Sequence, residues 1–192
     1  KHKKNKKFFN IIFIGNMSTP ANKEGRDWLI NEIFKNKKII KEKKLKFIIA
    51  GINSSKEILI NNNSFNELKE LNILEIKDSP RSFEKLLINS DIQICPIKFG
   101  TGIKNTVLEG MSLGLPQLVT NLIAKPIGIK NNVNGLVKDR KDFVNEIIKL
   151  RKIEKNYDLE KISKTSWDFI ISNYSWEKIV KNFSGLYLNK DL

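Results

Sequence analysis

Short apolar runs alternate with helically spaced apolar positions along most of this chain. Ile11 to Ile14 is the first run; it breaks at Gly15-Asn16 and predicts a buried strand followed by a loop. Trp28, Leu29, Ile33 and Phe34 then recur at helical intervals behind Pro20, with Asn22 as a candidate cap. Lys46 to Ala50, ending at Gly51, predicts a second buried strand, Ser54 to Ile60 a short helix and Asn61 to Asn63 a turn. Ile73 to Ile76 predicts a weaker strand, Asp78-Ser79-Pro80 a loop, and Ser82 to Asn89 a helix. Ile92 to Pro96, Pro116 to Thr120 and Gly135 to Val137 predict further strands. This rhythm predicts an α/β fold, a Rossmann-like parallel sheet of about six strands with helices on both faces. Such sheets take ligands beyond the carboxyl ends of their strands, and the loop at 99 to 104 lies at one of those ends.

The last third reads as helical. Phe143, Ile147 and Leu150 make one stripe, Leu159 and Ile162 a second, and Trp176, Ile179, Val180, Phe183 and Tyr187 a third. Trp167, Trp176 and Tyr187 are expected to pack in the core. The opposite end, Lys1-His2-Lys3-Lys4-Asn5-Lys6-Lys7, has charge without apolar spacing, so residues 1–9 read as a basic disordered end or linker remnant. A domain over 10–155 and C-terminal helices over 156–192 complete the expected layout.

The richest chemistry lies in the run from Gly100 to Pro116, which joins a glycine loop to an amphipathic helix bearing one acid. Gly100 and Gly102 let backbone N–H groups approach an anion, and the helix start behind them adds its dipole and unpaired first-turn amides. Ile103, Val107 and Met111 are expected to form the apolar stripe, with Asn105, Glu109 and Ser112 on the face toward a cleft. Glu109 stands too far along the helix for the dipole to favour it, and its carboxylate suits sugar hydroxyls.

Composition narrows the alternatives. The 192 residues and 40% hydrophobic content suffice for one sizeable core. Lysines and arginines number 35 against 21 acids, a net charge of +14, yet they are spread along the chain and are not interleaved with aromatics. The expectation is therefore no dedicated nucleic-acid site, with attraction to an anionic membrane surface left open. With no spanning run or secretion signal the protein is expected to be cytoplasmic, including peripherally on the inner face of a membrane. His2, the only histidine, lies in the opening charge run, which removes His-based triads. Cys95, the only cysteine, sits in an apolar run and reads as a core residue.

Taken together, Phe13-Ile14-Gly15-Asn16-Met17, Pro20-Ala21-Asn22, Ile48-Ile49-Ala50-Gly51, Cys95-Pro96, Gly100-Thr101-Gly102-Ile103-Lys104-Asn105, Val107-Leu108-Glu109-Gly110-Met111 and Gly114-Leu115-Pro116 fall in a telling order. They resemble the C-terminal, donor-binding half of a GT-B glycosyltransferase of the retaining family 4, the glycosyl transferases group 1. Gly135-Leu136-Val137 and Tyr174-Ser175-Trp176 look like the closing elements of that family.

The resemblance implies transfer from a nucleoside-diphosphate sugar (UDP, GDP or dTDP) to a glycan or lipid-linked acceptor, with no cofactor, no metal and retained anomeric configuration, as in polysaccharide biosynthesis. It makes Glu109 the second acid of a Glu-x7-Glu motif, gripping the ribose. Gly15, Asn16, Gly100, Thr101, Gly102, Ile103, Lys104 and Asn105 would surround the donor, Lys104 would supply catalytic charge to the leaving diphosphate, and Asp78 and Ser79 would approach the base. Three positions depart from the pattern: Thr101 stands at the first acid, Asn16 where relatives carry a basic residue, and Glu75 or Ile76 where a glycine is usual. The resemblance also implies a missing N-terminal acceptor domain, toward which the C-terminal helices would cross, and a hexosyltransferase inactive without it. The alternative is a non-catalytic interaction or scaffold module that keeps the half-fold.

Overall fold

Ile11, Ile12, Phe13 and Ile14 are all buried, as a strand covered on both faces must be. In the computed structural model, which describes residues 7–42, 44–58, 62–152 and 157–188, this run belongs to β1 (Phe9–Ile14). Five more strands follow: β2 (Leu45–Gly51), β3 (Leu74–Asp78), β4 (Ile92–Cys95), β5 (Gln117–Val119) and β6 (Leu136–Val137). They form a six-stranded sheet in the order β3-β2-β1-β4-β5-β6, every neighbouring pair parallel. β1 and β2 run in register from Phe9 opposite Leu45 to Ile14 opposite Ala50.

The helices are α1 (Pro20–Lys35), α2 (Lys37–Lys41), α3 (Asn62–Glu70), α4 (Phe83–Ile88), α5 (Asn105–Ser112), α6 (Asn121–Ile127), α7 (Phe143–Lys152), α8 (Tyr157–Tyr174) and α9 (Trp176–Leu188). A 3-10 turn, Arg140–Asp142, leads into α7. Successive strand residues point to opposite faces, and the core divides accordingly. Ile11 and Phe13 pack in the cluster that holds Leu29, Ile30 and Ile33 of α1. Ile12, Ile14, Ile48 and Ala50 pack with Leu87 of α4 and Leu115.

Several local expectations change. β1 already includes Phe9, while residues 1–6, His2 among them, lie outside the described residues. Thr19, not Asn22, is the N-cap of α1, because Pro20 has no N–H to lose and takes the first helical position. No helix forms at 54–57; residues 52–57 are turns, and α3 begins at Asn62 where a turn was expected. The reason is Arg26, fully buried in α1, whose guanidinium donates to the carbonyls of Asn53, Ser54, Lys56 and Glu57. Carbonyls pulled onto one cation cannot build a helical ladder, and Asn53 and Glu57 sit at positive φ. Residues 59–61 lie outside the described residues. The unforeseen α6 is short and holds Pro126 in its last turn, closing on Gly128 in the left-handed conformation.

At the C-terminal end, Leu159, Ile162 and Ile170 of α8 are buried against the body. Three side chains of α8 donate to backbone carbonyls there: Ser163 to Gly114, Thr165 to Val133, and Tyr174 to Ile127 at 3.0 Å. Trp167 and Trp176 are not core residues; they are 46% and 79% exposed, because they face away from the sheet. Ile171, Val180 and Phe183 are exposed beside them, and the side chain of Tyr187 lies outside the described residues. Among the described residues no helix is long and apolar enough to cross a membrane.

Candidate functional site

The strand order reverses direction between β1 and β4, which opens a crevice where loops leave the carboxyl ends of the two strands in opposite directions. At the end of β1, Asn16 organises the turn into α1. Its Oδ1 accepts from Ser18 N–H at 2.9 Å, and its carbonyl accepts from Thr19 Oγ1 at 2.9 Å and Asn22 Nδ2 at 3.0 Å. Gly15 rides directly on Gly51 of β2: a Cβ on Gly51 would lie 1.8 Å from the Gly15 carbonyl oxygen. Gly15 N–H donates to Ala50 and Met17 N–H to Ile52, so the loops after β1 and β2 move as one.

At the end of β4 the chain turns through Gly100, φ +117°, and Gly102, φ +83°. The turn is open. A Cβ on Gly102 would meet nothing within 4 Å, and one on Gly100 only the Cβ of Ala21, at 3.9 Å, in the first turn of α1. The glycine turn thus lies between the starts of α1 and α5. Neither N-cap, Thr19 nor Lys104, makes a side-chain capping bond, so first-turn amides of both helices stay available to an anion, assisted by both dipoles.

Lys104 is half-buried, and its side chain has no hydrogen-bond or ion-pair partner among the described residues. Its charge reaches back to Cys95: burial pushes that thiol up to about 12, with Lys104 opposing the rise. The Cys95 side chain is therefore an inert core thiol. Ile103 departs from expectation: it precedes the helix and is exposed, while Val107 and Met111 form the fully buried stripe. Asn105, Glu109 and Ser112 are exposed, and the Glu109 carboxylate has no partner among the described residues. Thr101 is exposed in the turn.

Asp78 and Ser79 end β3, two strands away from the crevice on the β2 side. The Asp78 carboxylate accepts from the hydroxyls of Ser55 and Ser79, and the Ser55 hydroxyl above all holds its pKa below the ordinary value of 3.8. The structure therefore brings Gly15, Asn16 and the 100–105 turn to one crevice, and leaves Asp78 and Ser79 at its far flank.

The sequence reading missed a cluster beside that crevice. Glu24 of α1 accepts from Arg140 at 2.6 and 2.8 Å and pairs with Lys98 at 3.1 Å, and the Arg140 guanidinium lies 4.5 Å from the centre of the Trp28 ring. These residues line an open groove of about 620 Å³ along α1. Their pairing carries no sequence signal, because its members come from three distant segments. Burial raises the Glu24 pKa, but Arg140 and Lys98 together outweigh it and hold the carboxyl below its ordinary 4.5. A carboxyl depressed in the folded state stabilises above its unfolded pKa and loses that contribution as pH falls through the folded value. Glu24→Gln is thus expected to cost about 0.5–1 kcal/mol at pH 7, a difference that shrinks in urea titrations as pH falls from the ordinary carboxyl value through the lowered folded one.

A family model described as glycosyl transferases group 1 matches residues 9–152. The chain belongs to this family. No curated protein matches the sequence. Among solved structures, the chain is similar to the Anabaena protein Alr3699/HepE in complex with UDP, with a TM-score of 0.74 and 13% identity over 94% of this chain. A glycosyltransferase from Rickettsia africae gives a TM-score of 0.74 with 19% identity over 97% of this chain. The C-terminal domain of a group 1 protein, LpcC, from Francisella tularensis gives 0.67 with 16% identity over 88%. At such identities the likeness concerns the fold. The chain spans 49% of each of the first two proteins and 87% of the Francisella domain.

Proposed function

We propose that this chain is the donor-binding half of a retaining glycosyltransferase, holding a nucleoside-diphosphate sugar for transfer to a glycan or lipid-linked acceptor. The observation that carries the reading is the open glycine turn at the end of β4, set between two uncapped helix starts with the unpaired Lys104 beside it. Fixed amides and an ammonium aimed at one place suit a leaving diphosphate, whose negative charge grows as the sugar departs. Glu109, one turn into α5 on the same face as Asn105, is assigned to the ribose hydroxyls. Strands lie about 4.8 Å apart, so the end of β3 stands about 12 Å from the crevice, a nucleoside's reach for Asp78 and Ser79. The Anabaena protein was solved with UDP, and a second neighbour, S. aureus TarM, with UDP and glycan ligands, which supports a nucleotide-sugar donor.

A half-length match and the apolar face of α8 and α9 support a second domain that completes the acceptor side. Residues 157–188 hold four lysines and four acids, so this helical segment carries no net charge in a chain of net charge +14. Neutrality favours a protein surface there over an anionic membrane.

Calorimetry with UDP, GDP and dTDP tests the proposal: one of them is expected to bind at a single site, and no heat with any of the three refutes it. The scaffold reading draws on Thr101, which stands where an acid would meet the sugar. It expects partner association that survives Glu109→Ala and no nucleotide affinity.

A further inference from the structure

Two glutamines lie beneath the helix that carries the candidate site. Gln93 of β4 and Gln117 of β5 are register partners in neighbouring strands, 1% and 0% exposed. Gln93 Nε2 donates to the carbonyl of Thr106, in the first turn of α5, at 3.0 Å, and Gln117 Nε2 donates to the Leu115 carbonyl at 2.8 Å. The Oε1 atoms of both are buried and accept no hydrogen bond among the described residues. Above them α5 presents Gly110: a Cβ there would lie 1.9 Å from Gln93 Oε1 and 2.5 Å from Gln117 Nε2. The helix therefore sits down on the two amides, and only a glycine permits it.

Packing alone does not account for this pair. Two buried carbonyl oxygens without donors oppose folding, and apolar side chains of the same length would fill the space without that cost. Local features that oppose folding cluster at functional sites. What this one controls is the height and tilt of α5. Gln93 ties down the first turn, the turn whose amides follow Lys104, and Gly110 sets how closely the following turn approaches the sheet. Cys95, two residues beyond Gln93 on the same face of β4, continues this floor to the residue that feels the charge of Lys104.

We propose that Gln93 and Gln117 are positioning residues for the nucleotide: an amide pair that fixes how far the first turn of α5 and Lys104 project into the crevice. The inference rests on the donor-site reading above. It is tested with the full chain by replacing both with methionine, Gln93→Met/Gln117→Met, and measuring melting temperature together with affinity for UDP, GDP and dTDP. The expected result is an unchanged or raised melting temperature with about tenfold weaker binding, the effect of misaligning one hydrogen bond to a charged group. A merely structural pair would lose stability and leave affinity alone. Unchanged affinity overturns the inference, as does a variant that melts earlier or fails to fold. If the unaltered chain binds none of the three nucleotides, the donor-site reading falls and this inference with it; if it binds and the variant binds equally, this inference alone falls.

Discussion

Lys104→Ala is expected to weaken nucleoside-diphosphate binding by about 10- to 100-fold, the worth of a charge-assisted hydrogen bond to phosphate. The lysine has no internal partner to compensate for among the described residues, so its removal leaves the fold's own bonds intact. It is the N-cap of α5, where the helix dipole already favours an anion, so charge and dipole act in the same direction. Glu109→Ala is expected to weaken binding of the nucleoside diphosphate while leaving inorganic pyrophosphate unaffected, because a ribose contact is lost and a phosphate contact is not. Lys164→Ala on α8 is the control, since it removes the same unit of charge from a chain of net +14, next to Ser163, which bonds Gly114 past the C-terminal end of α5. Distant exposed charges are screened at physiological salt, so this variant is expected to change affinity less than about twofold. Isothermal titration of all three at one ionic strength checks the set. Equal losses for Lys104→Ala and Lys164→Ala would show bulk electrostatics and no built site.

Gly51→Ala is expected to destabilise the protein by about 3–5 kcal/mol, the range reached when backbone strain and steric collision coincide. Gly51 has φ +145°, and its Cβ would lie 1.8 Å from a backbone oxygen of Gly15, which is fixed in turn by the β1–β2 ladder. A flexible side chain could swing aside; a backbone carbonyl one residue past β1, its own N–H bonded to Ala50, has far less freedom. Gly102→Ala supplies the contrast, since Gly102 also has positive φ but open space around it. Strain alone is expected to cost about 1–2 kcal/mol there. Urea unfolding of the two variants separates strain from collision. A loss below about 1.5 kcal/mol for Gly51→Ala would show that the Gly15 loop yields.

Much of the architecture was legible because its signals are local. A strand buried on both faces leaves an unbroken apolar run, as at Ile11 to Ile14 and Phe47 to Ala50, and a helix leaves its spacing, as at Val107 and Met111. The Ser82 cap of α4 was legible for the same reason: its side chain accepts from Lys85 N–H, three residues on. The helix expected at 54–60 failed because its competitor is remote. Arg26 lies about thirty residues upstream and claims the carbonyls that a helix needs, and a window of sequence holds no trace of that. The exposed Trp167 and Trp176 failed for a related reason. Apolar periodicity says that a helix has a sticky face, and it does not say what covers it.

The glycine turn was legible as chemistry before it was legible as a place. Two glycines, a lysine and a helix start are adjacent in the chain, and their combination points to phosphate whatever surrounds them. The approach of α1 to that turn depends on strand order. So do the Glu24–Arg140–Lys98 cluster and the glutamine pair beneath α5. By itself the sequence determined what contiguous residues can determine: the parallel α/β class, the buried strands and the pairing of a glycine turn with a helix start at residues 100–105. The tertiary structure alone decided which loops share the crevice, which cations are already paired and which remain free, because charges and packing surfaces from segments 20 to 120 residues apart meet only after the sheet has ordered its strands.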